Sequence, residues 1–524
     1  MSEEKKETKV NKDQPQSTLF SDPNQLYVYE KKPQKKKLLV TSLVALGVVV
    51  CVALAAAAIK IFVPDNTDEN NSSNSLVTIA VTDYSSDDVE KMTVTTEDYK
   101  AVLYSQSEET TSDSTTVNWY IEGVDSTLTS SYDIASAVNS AVALSAVRKM
   151  DINDADYGFA EPYATVEIES RNQVFGNYTI TVGSVSPDRS GYYLKTSLKE
   201  DVYLVSMKDV EKFCQDIYAY ANTTVISALT DGDASEEYFS DSTLIKVDSI
   251  SLSGTYYGSE NIQFEANPDK NTSAFMTYVM KTPYRRYADN DKVNPLISPF
   301  ANGVYAEACY SYDATEDELL TYNLINPEIV ITLRVENIRH TLKASKNDDG
   351  YYALMIDDVK AIYKVKKAYI EFSPTTAKGF ISTVVFSQML KTFTDIDVNI
   401  DGKLYDFNIN VVESEEEEDI YNVTAGSLPI EAENFQNYYA QLLGMTLTEI
   451  SVKTPDAPAS MSIRLTRKDG SRTTIVFAKT ADRRYHVSVD GDPGGYISAT
   501  TYENLQNYAV LAYEGKDVPK VTEK

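Results

Sequence analysis

The 524-residue sequence holds one Trp, two His and three Cys, and each shortage excludes something. His340 and His486 sit in alternating patterns with no HExxH and no Ser or Cys nucleophile motif beside them, so histidine-based catalysis has no foothold. The three Cys make no C-x-x-C pair and no disulfide framework. Cys51 lies in an apolar run, which leaves Cys214–Cys309 as the one bond open to an exterior protein. Basic residues are also scarce: 48 Lys and Arg stand against 78 Asp and Glu, for a net charge of −30. Phosphate contacts need Lys and Arg, so nucleic acid and anionic lipid are disfavoured as partners. No motif asks for a cofactor or a metal. DVNIDG (397–402) begins like a calcium loop, but its twelfth position is Asn408 where a bidentate Glu is needed, so it reads as a hairpin turn. ESEEEED (413–419) reads as a solvated loop.

What is abundant is Tyr, with 38 residues, in a chain that is 42% hydrophobic. Tyr is a strand residue, so the composition leans toward β-structure. One long apolar run stands out. LLVTSLVALGVVVCVALAAAAI begins at Leu38 and carries no charge; as a helix it spans about 33 Å, enough for a hydrocarbon core. KKPQKKK precedes it and PDNTDENN follows, which places the N-terminus in the cytoplasm and the rest outside. Ala53-Leu54-Ala55 keeps a cleaved signal peptide open as an alternative. Val50 before Cys51 argues against a lipoprotein site. The expected organisation is a disordered tail (1–37), a transmembrane helix (38–60), a stalk (61–84) and then folded units.

The folded part repeats itself. YGFAEPYATVEI (157–168) and YNLINPEIVITL (322–333) align position by position. Tyr157 matches Tyr322. Gly158 matches Asn323, and both types tolerate left-handed backbone. Pro162 matches Pro327, and then alternating apolar residues match on one strand face. A helical pattern precedes each stretch and Tyr-rich hairpins follow it. Tyr192 and Tyr203, Tyr352 and Tyr363, and Tyr485 and Tyr496 share one spacing. DIDVNIDGKLYDFNINVV (395–412) opens a third, fainter copy, in which the apolar residues fall one position late when counted from Pro458. A slip of one residue would turn a strand over. The reading is α+β: a single N-terminal transmembrane helix, then about three repeated α+β units with antiparallel sheets and packed helices, at 85–220, 246–375 and 395–510. Each unit is expected as opening hairpin, helix, antiparallel strands and closing helix. Residues 221–245 read as a linker, and 376–394 as a helix joining the last two units.

The anchor, the lone Trp119 in NWYIEG, the helix, YGFAEP and GYYLKT…VYLVS together resemble the bacterial domain-of-unknown-function family 4340. The resemblance implies a membrane-anchored exterior protein of bacteria, with some relatives encoded beside ABC exporters of the gliding-motility type. It implies no catalytic residues.

The expected function is therefore a non-enzymatic surface module that binds or scaffolds an envelope or membrane protein. A cell-wall carbohydrate binder with a row of exposed coplanar Tyr rings is the alternative. An envelope hydrolase with convergent carboxylates stands further back. Tyr157, Gly158, Pro162, Tyr322, Asn323 and Pro327 are expected to fix loop geometry. YRRY (284–287) and DRRY (482–485) are basic–aromatic islands that either pair with local carboxylates or grip a phosphate or uronic acid.

Overall fold

The computed structural model describes residues 79–110, 114–151, 156–171, 173–228, 247–269, 272–273, 275–335, 338–348, 350–370, 372–413, 419–481 and 483–520. The expected tail, transmembrane segment and most of the stalk lie outside the described residues, as do residues 229–245 of the linker reading. Among the described residues no helix is long and apolar enough to cross a membrane.

Alternating apolar residues build three antiparallel sheets of eight, nine and nine strands. In the first, Val89–Thr96, Lys100–Thr110 and Ser114–Ile121 form a meander, followed by helix α1, Ser131–Val142. A short strand, Arg148–Met150, leads to a second meander of Ala164–Ser170, Tyr178–Val185, Gly191–Thr196 and Lys199–Ser206, closed by helix α2, Met207–Phe213. The first strands of the two meanders pair side by side, and the short strand returns to the far edge against Lys199–Ser206.

The second sheet repeats this order and adds one edge strand, Arg286–Tyr287, beyond Tyr278–Thr282. Val247–Ser253, Ile262–Ala266 and Tyr278–Thr282 precede helix α3, Asn290–Asn302. Short strand Ala308–Ser311 and helix α4, Glu316–Thr321, precede the meander that runs from Ile329–Val335 to Ile362–Lys366. The third sheet repeats the order again. Its first meander begins with Phe393–Ile400, helix α5 is Ala432–Leu443, its second meander begins with Ala459–Arg467, and helix α6 is Ala499–Tyr513. The opening is thus a meander of three strands in the first sheet and of four in the second and third, where Arg286–Tyr287 and Leu428–Ile430 add an edge strand, and not the two-stranded hairpin expected. Where the first and third sheets have a closing helix, the second has 3-10 turns at Lys367–Tyr369 and Ala377–Phe380.

The seam between the two meanders carries the core. Met92 faces Ile168 and Val94 faces Val166; Ile250 faces Leu333 and Leu252 faces Ile331; Ile396 faces Leu465 and Val398 faces Ile463. All are buried, each stabilising by about 1.5–3 kcal/mol on leaving water. The seam also carries a β-bulge at one equivalent place in all three sheets: between Val89 and Lys91, Val247 and Ser249, and Phe393 and Asp395. A bulge bends and twists its strand, and the repetition shows one backbone design used three times.

The late phase after Pro458 has a physical cause. Ala459 and Met461 face Ala478 and Phe477, so Ser460 is an extra residue in a bulge. It restores Met461, Ile463 and Leu465 to the buried face. In the third Tyr hairpin the spacing survives but the pairing shifts. Tyr352 faces Val365 and Tyr485 faces Ile497. However, Tyr363 faces Leu354, while Tyr496 faces His486 after a register shift at Val487 and Ser488.

The sheets are joined by ordered contacts. Thr224–Ile226 pairs with Val304–Tyr305, and the Tyr312 hydroxyl donates to the Ile217 carbonyl at 2.7 Å. The segment expected as a helix at 376–394 is instead an extended strap with 3-10 turns at Ala377–Phe380 and Leu390–Thr392. Its β-branched run Ile381, Thr383, Val384 and Val385 disfavours helix. Phe380, Ile381, Phe386 and Leu390 are buried, so the strap is anchored by side chains and not by its own backbone bonds. It bonds sideways to both neighbours. Ser382 donates its N–H to the Tyr287 carbonyl at 2.9 Å, Leu447 donates to Thr383 at 2.8 Å, and Met389 donates to Thr272 at 2.7 Å.

Candidate functional site

The repeat motif lies in two loops with matching geometry. Gly158 and Asn323 both have left-handed backbone, at φ 77° and 54°. The Tyr157 carbonyl accepts from Ser184 N–H at 2.9 Å, and the Asn323 carbonyl accepts from the Ser345 hydroxyl at 2.7 Å. Each loop is therefore tied to the second strand of its meander. A Cβ on Gly158 would lie 2.7 Å from Ser184 N, which leaves no room for a side chain. Tyr157 is buried and donates to the Asp151 carbonyl at 2.6 Å, while Tyr322 stacks on Tyr310 at 4.7 Å. Pro162 is exposed and Pro327 half-buried at the start of the following strands.

DVNIDG closes a hairpin in which Ile400 pairs with Lys403, with Asp401 and Gly402 at φ 50° and 86°. Positive φ at both turn residues is the geometry a two-residue hairpin turn needs. Around ESEEEED, Glu413 pairs with Lys468 at 2.7 Å and Asp419 with Lys391 at 3.3 Å; residues 414–418 lie outside the described residues. Cys214 and Cys309 are free and buried, so the bond left open between them is not formed. His340 lies 3.4 Å from Asp357. His486 is buried, and its Nε2 has no hydrogen-bond partner among the described residues. Burial, and then the charge of Arg286, hold its pKa below the ordinary 6.5. The Tyr rings stack as separate pairs: Tyr104 on Tyr120 at 5.5 Å, Tyr163 on Tyr192 at 4.9 Å and Tyr485 on Tyr502 at 3.8 Å. Tyr192 and Tyr502 are buried, which assigns their pairs to packing.

The two arginine islands part company. In DRRY, Arg484 pairs with Glu449 and lies over the Tyr496 ring at 3.8 Å, as a locally neutralised pair should. In YRRY, Tyr284 donates to Glu260 at 3.2 Å, but among the described residues no carboxylate lies within 4.0 Å of Arg285 or Arg286. Arg286 Nη1 donates to the Arg285 carbonyl at 2.9 Å. Arg286 is half-buried, and desolvation lowers its pKa, partly offset by Asp492.

Both arginines line a cleft of about 270 Å³ between the second and third sheets. Its floor is the strap, with Val385, Phe386 and Gln388. One wall is the outer edge of the second sheet at Arg285–Tyr287; the other is the hairpin ends of the third sheet, with Arg467, Thr473, Asp490 and Asp492. Asp269 accepts from Gln388 Nε2 at 2.9 Å, and Arg467 donates to Gln388 Oε1 at 2.7 Å and to the Thr473 hydroxyl at 2.9 Å. Arg467 is thus fully engaged, over the Phe393 ring at the seam bulge. Asp490 accepts from the Thr474 N–H at 2.7 Å. Among the described residues, no hydrogen bond or ion pair to another side chain engages Arg285, Arg286 or Asp492, so they keep free donors and acceptors. Burial raises the Tyr287 hydroxyl to about 12, so it stays protonated as a donor.

YRRY was visible in the sequence as a basic–aromatic island. Arg467, Gln388 and Asp492 were not singled out. Arg467 precedes a KDG turn and Asp492 follows a DG turn, and hairpin ends are where such side chains meet a neighbouring unit.

The fold defines the class first: an internally repeated chain of antiparallel sheets, each with a helix inserted between its two meanders. The model of the family described as "Domain of unknown function (DUF4340)" matches residues 125–324 and 279–461, together more than half of the chain. The chain belongs to that family. Both matched stretches begin shortly before an inserted helix, α1 or α3, and run into the next sheet. No curated protein and no solved structure matches the chain.

Proposed function

We propose that the chain is a single-pass, membrane-anchored exterior protein of the bacterial envelope, a non-enzymatic scaffold that holds an envelope or membrane protein. The uncharged run at 38–59 with its basic flank supports the anchor and the orientation. The observation that carries the scaffold reading is the use of one strand order three times with bonded junctions. Repetition multiplies surface at a fixed spacing, which suits partner binding, whereas catalysis rests on one particular constellation. An accessory role beside an ABC transporter fits an anchored body of this kind.

The test is capture of the tagged full chain from native membranes in mild detergent, with partners identified by mass spectrometry. The reading expects reproducible recovery of a membrane or envelope protein, lost when one exterior unit carries surface charge reversals. Recovery of nothing above an untagged control contradicts it.

A further inference from the structure

We propose that the cleft between the second and third sheets is a binding site for a small carboxylate-bearing ligand, held by Arg285 and Arg286. This inference stands apart from the scaffold reading and does not need it. Three observations carry it. Arg286 is half-buried with no carboxylate within 4.0 Å among the described residues, although this chain has 78 acidic residues available to pair it. Most buried guanidinium groups have a partner, because an uncompensated charge away from water is costly. The cleft around it is built and not incidental: Gln388 joins Asp269 on one wall to Arg467 on the other, and Tyr439 donates to the Gln388 carbonyl at 2.6 Å from below. The third observation is the contrast with DRRY, whose Arg484 is neutralised by Glu449 on the spot. The same island type is therefore paired on the spot at Arg484 and left open at Arg286, which lines the cleft.

The ligand class follows from the lining. Planar guanidinium groups bind carboxylates with two parallel hydrogen bonds. The unpaired Asp492 at the same cleft favours a ligand that also carries hydroxyl or ammonium donors and disfavours a multiply charged anion. A volume of about 270 Å³ fits one sugar ring or a dipeptide. A uronic acid of a polysaccharide and the C-terminus of a short peptide share this chemistry.

The experiment is titration calorimetry on the full chain in mild detergent, with sodium glucuronate, the dipeptide Ala-Ala, glucose and inorganic phosphate as separate probes. Binding of glucuronate or Ala-Ala at least tenfold tighter than glucose is expected, and whichever binds identifies the source. R286Q should weaken that binding at least tenfold with an unchanged melting temperature, and R285Q should weaken it less. A second readout keeps folding out of the question. The chain has only two His, so in a histidine-labelled sample the His486 ring signal, beside Arg286, should shift on binding while that of His340 stays. Equal affinity for glucose and glucuronate, binding of phosphate alone, no binding of either carboxylate at 10 mM (about 3 kcal/mol by affinity arithmetic), or an R286Q variant that binds like the parent would each overturn the assignment.

Discussion

Individual residues show where backbone and burial set chemistry. Gly158 combines a left-handed backbone with a neighbour that a Cβ would strike. Gly158→Ala should destabilise by about 1–3 kcal/mol in urea unfolding, whereas Asn323→Gly, at an exposed left-handed position, should be nearly neutral or slightly stabilising. His486 gives a pH signature. Its folded pKa lies below the ordinary 6.5 because burial disfavours the charged ring. Between the folded and unfolded values the unfolded chain binds the extra proton, so this residue's stabilisation is complete above about pH 6.5 and is lost as pH falls toward the folded value. His486→Phe should gain on the parent protein progressively as the pH drops below 6.5, read from paired thermal melts; a parallel pair of curves would refute the assignment. Burial also pushes the Cys214 and Cys309 thiols up to about 12. Ellman's reagent at pH 8 should leave both unmodified in the native state and react with both in denaturant, because the thiolate is the nucleophile.

At the scale of elements, the seam strands decide the fold. Ile331 is buried and its neighbour Thr332 faces the other way. Ile331→Ala should cost about 2–5 kcal/mol, and Thr332→Ala about 0.5 kcal/mol or less, in the same unfolding assay. Equal effects would contradict the register. These strands were legible in the sequence because burial on one face imposes a period of two, and Val166, Ile331 and their neighbours show it. The left-handed loop was legible from Gly158 and Asn323. The third strand of each opening meander was not, because residues such as 114–121 follow a weakly patterned polar stretch. The strap reads as a helix from its sequence because Ile381, Val385 and Met389 fall four apart, a spacing that suits a helix, while β-branching and contacts to two sheets win. Half of the cleft was legible as YRRY; the other half comes from hairpin ends far away in sequence, which no local pattern brings together.

The described residues form three versions of one strand order, joined through bonded junctions. Ile450 packs against the cores of both the second and the third sheets. The function rests on where this body stands. The most direct measurement is labelling with a membrane-impermeant maleimide in intact cells. Tyr132→Cys and Leu428→Cys place new thiols at positions 82% and 71% exposed, on the first and third units, and Ser17→Cys places one in the N-terminal tail. The account predicts that the two unit positions label in intact cells and Ser17→Cys only after permeabilisation. Labelling of Ser17→Cys alone in intact cells, with the unit positions protected until lysis, would put the folded units inside and contradict the anchored exterior scaffold.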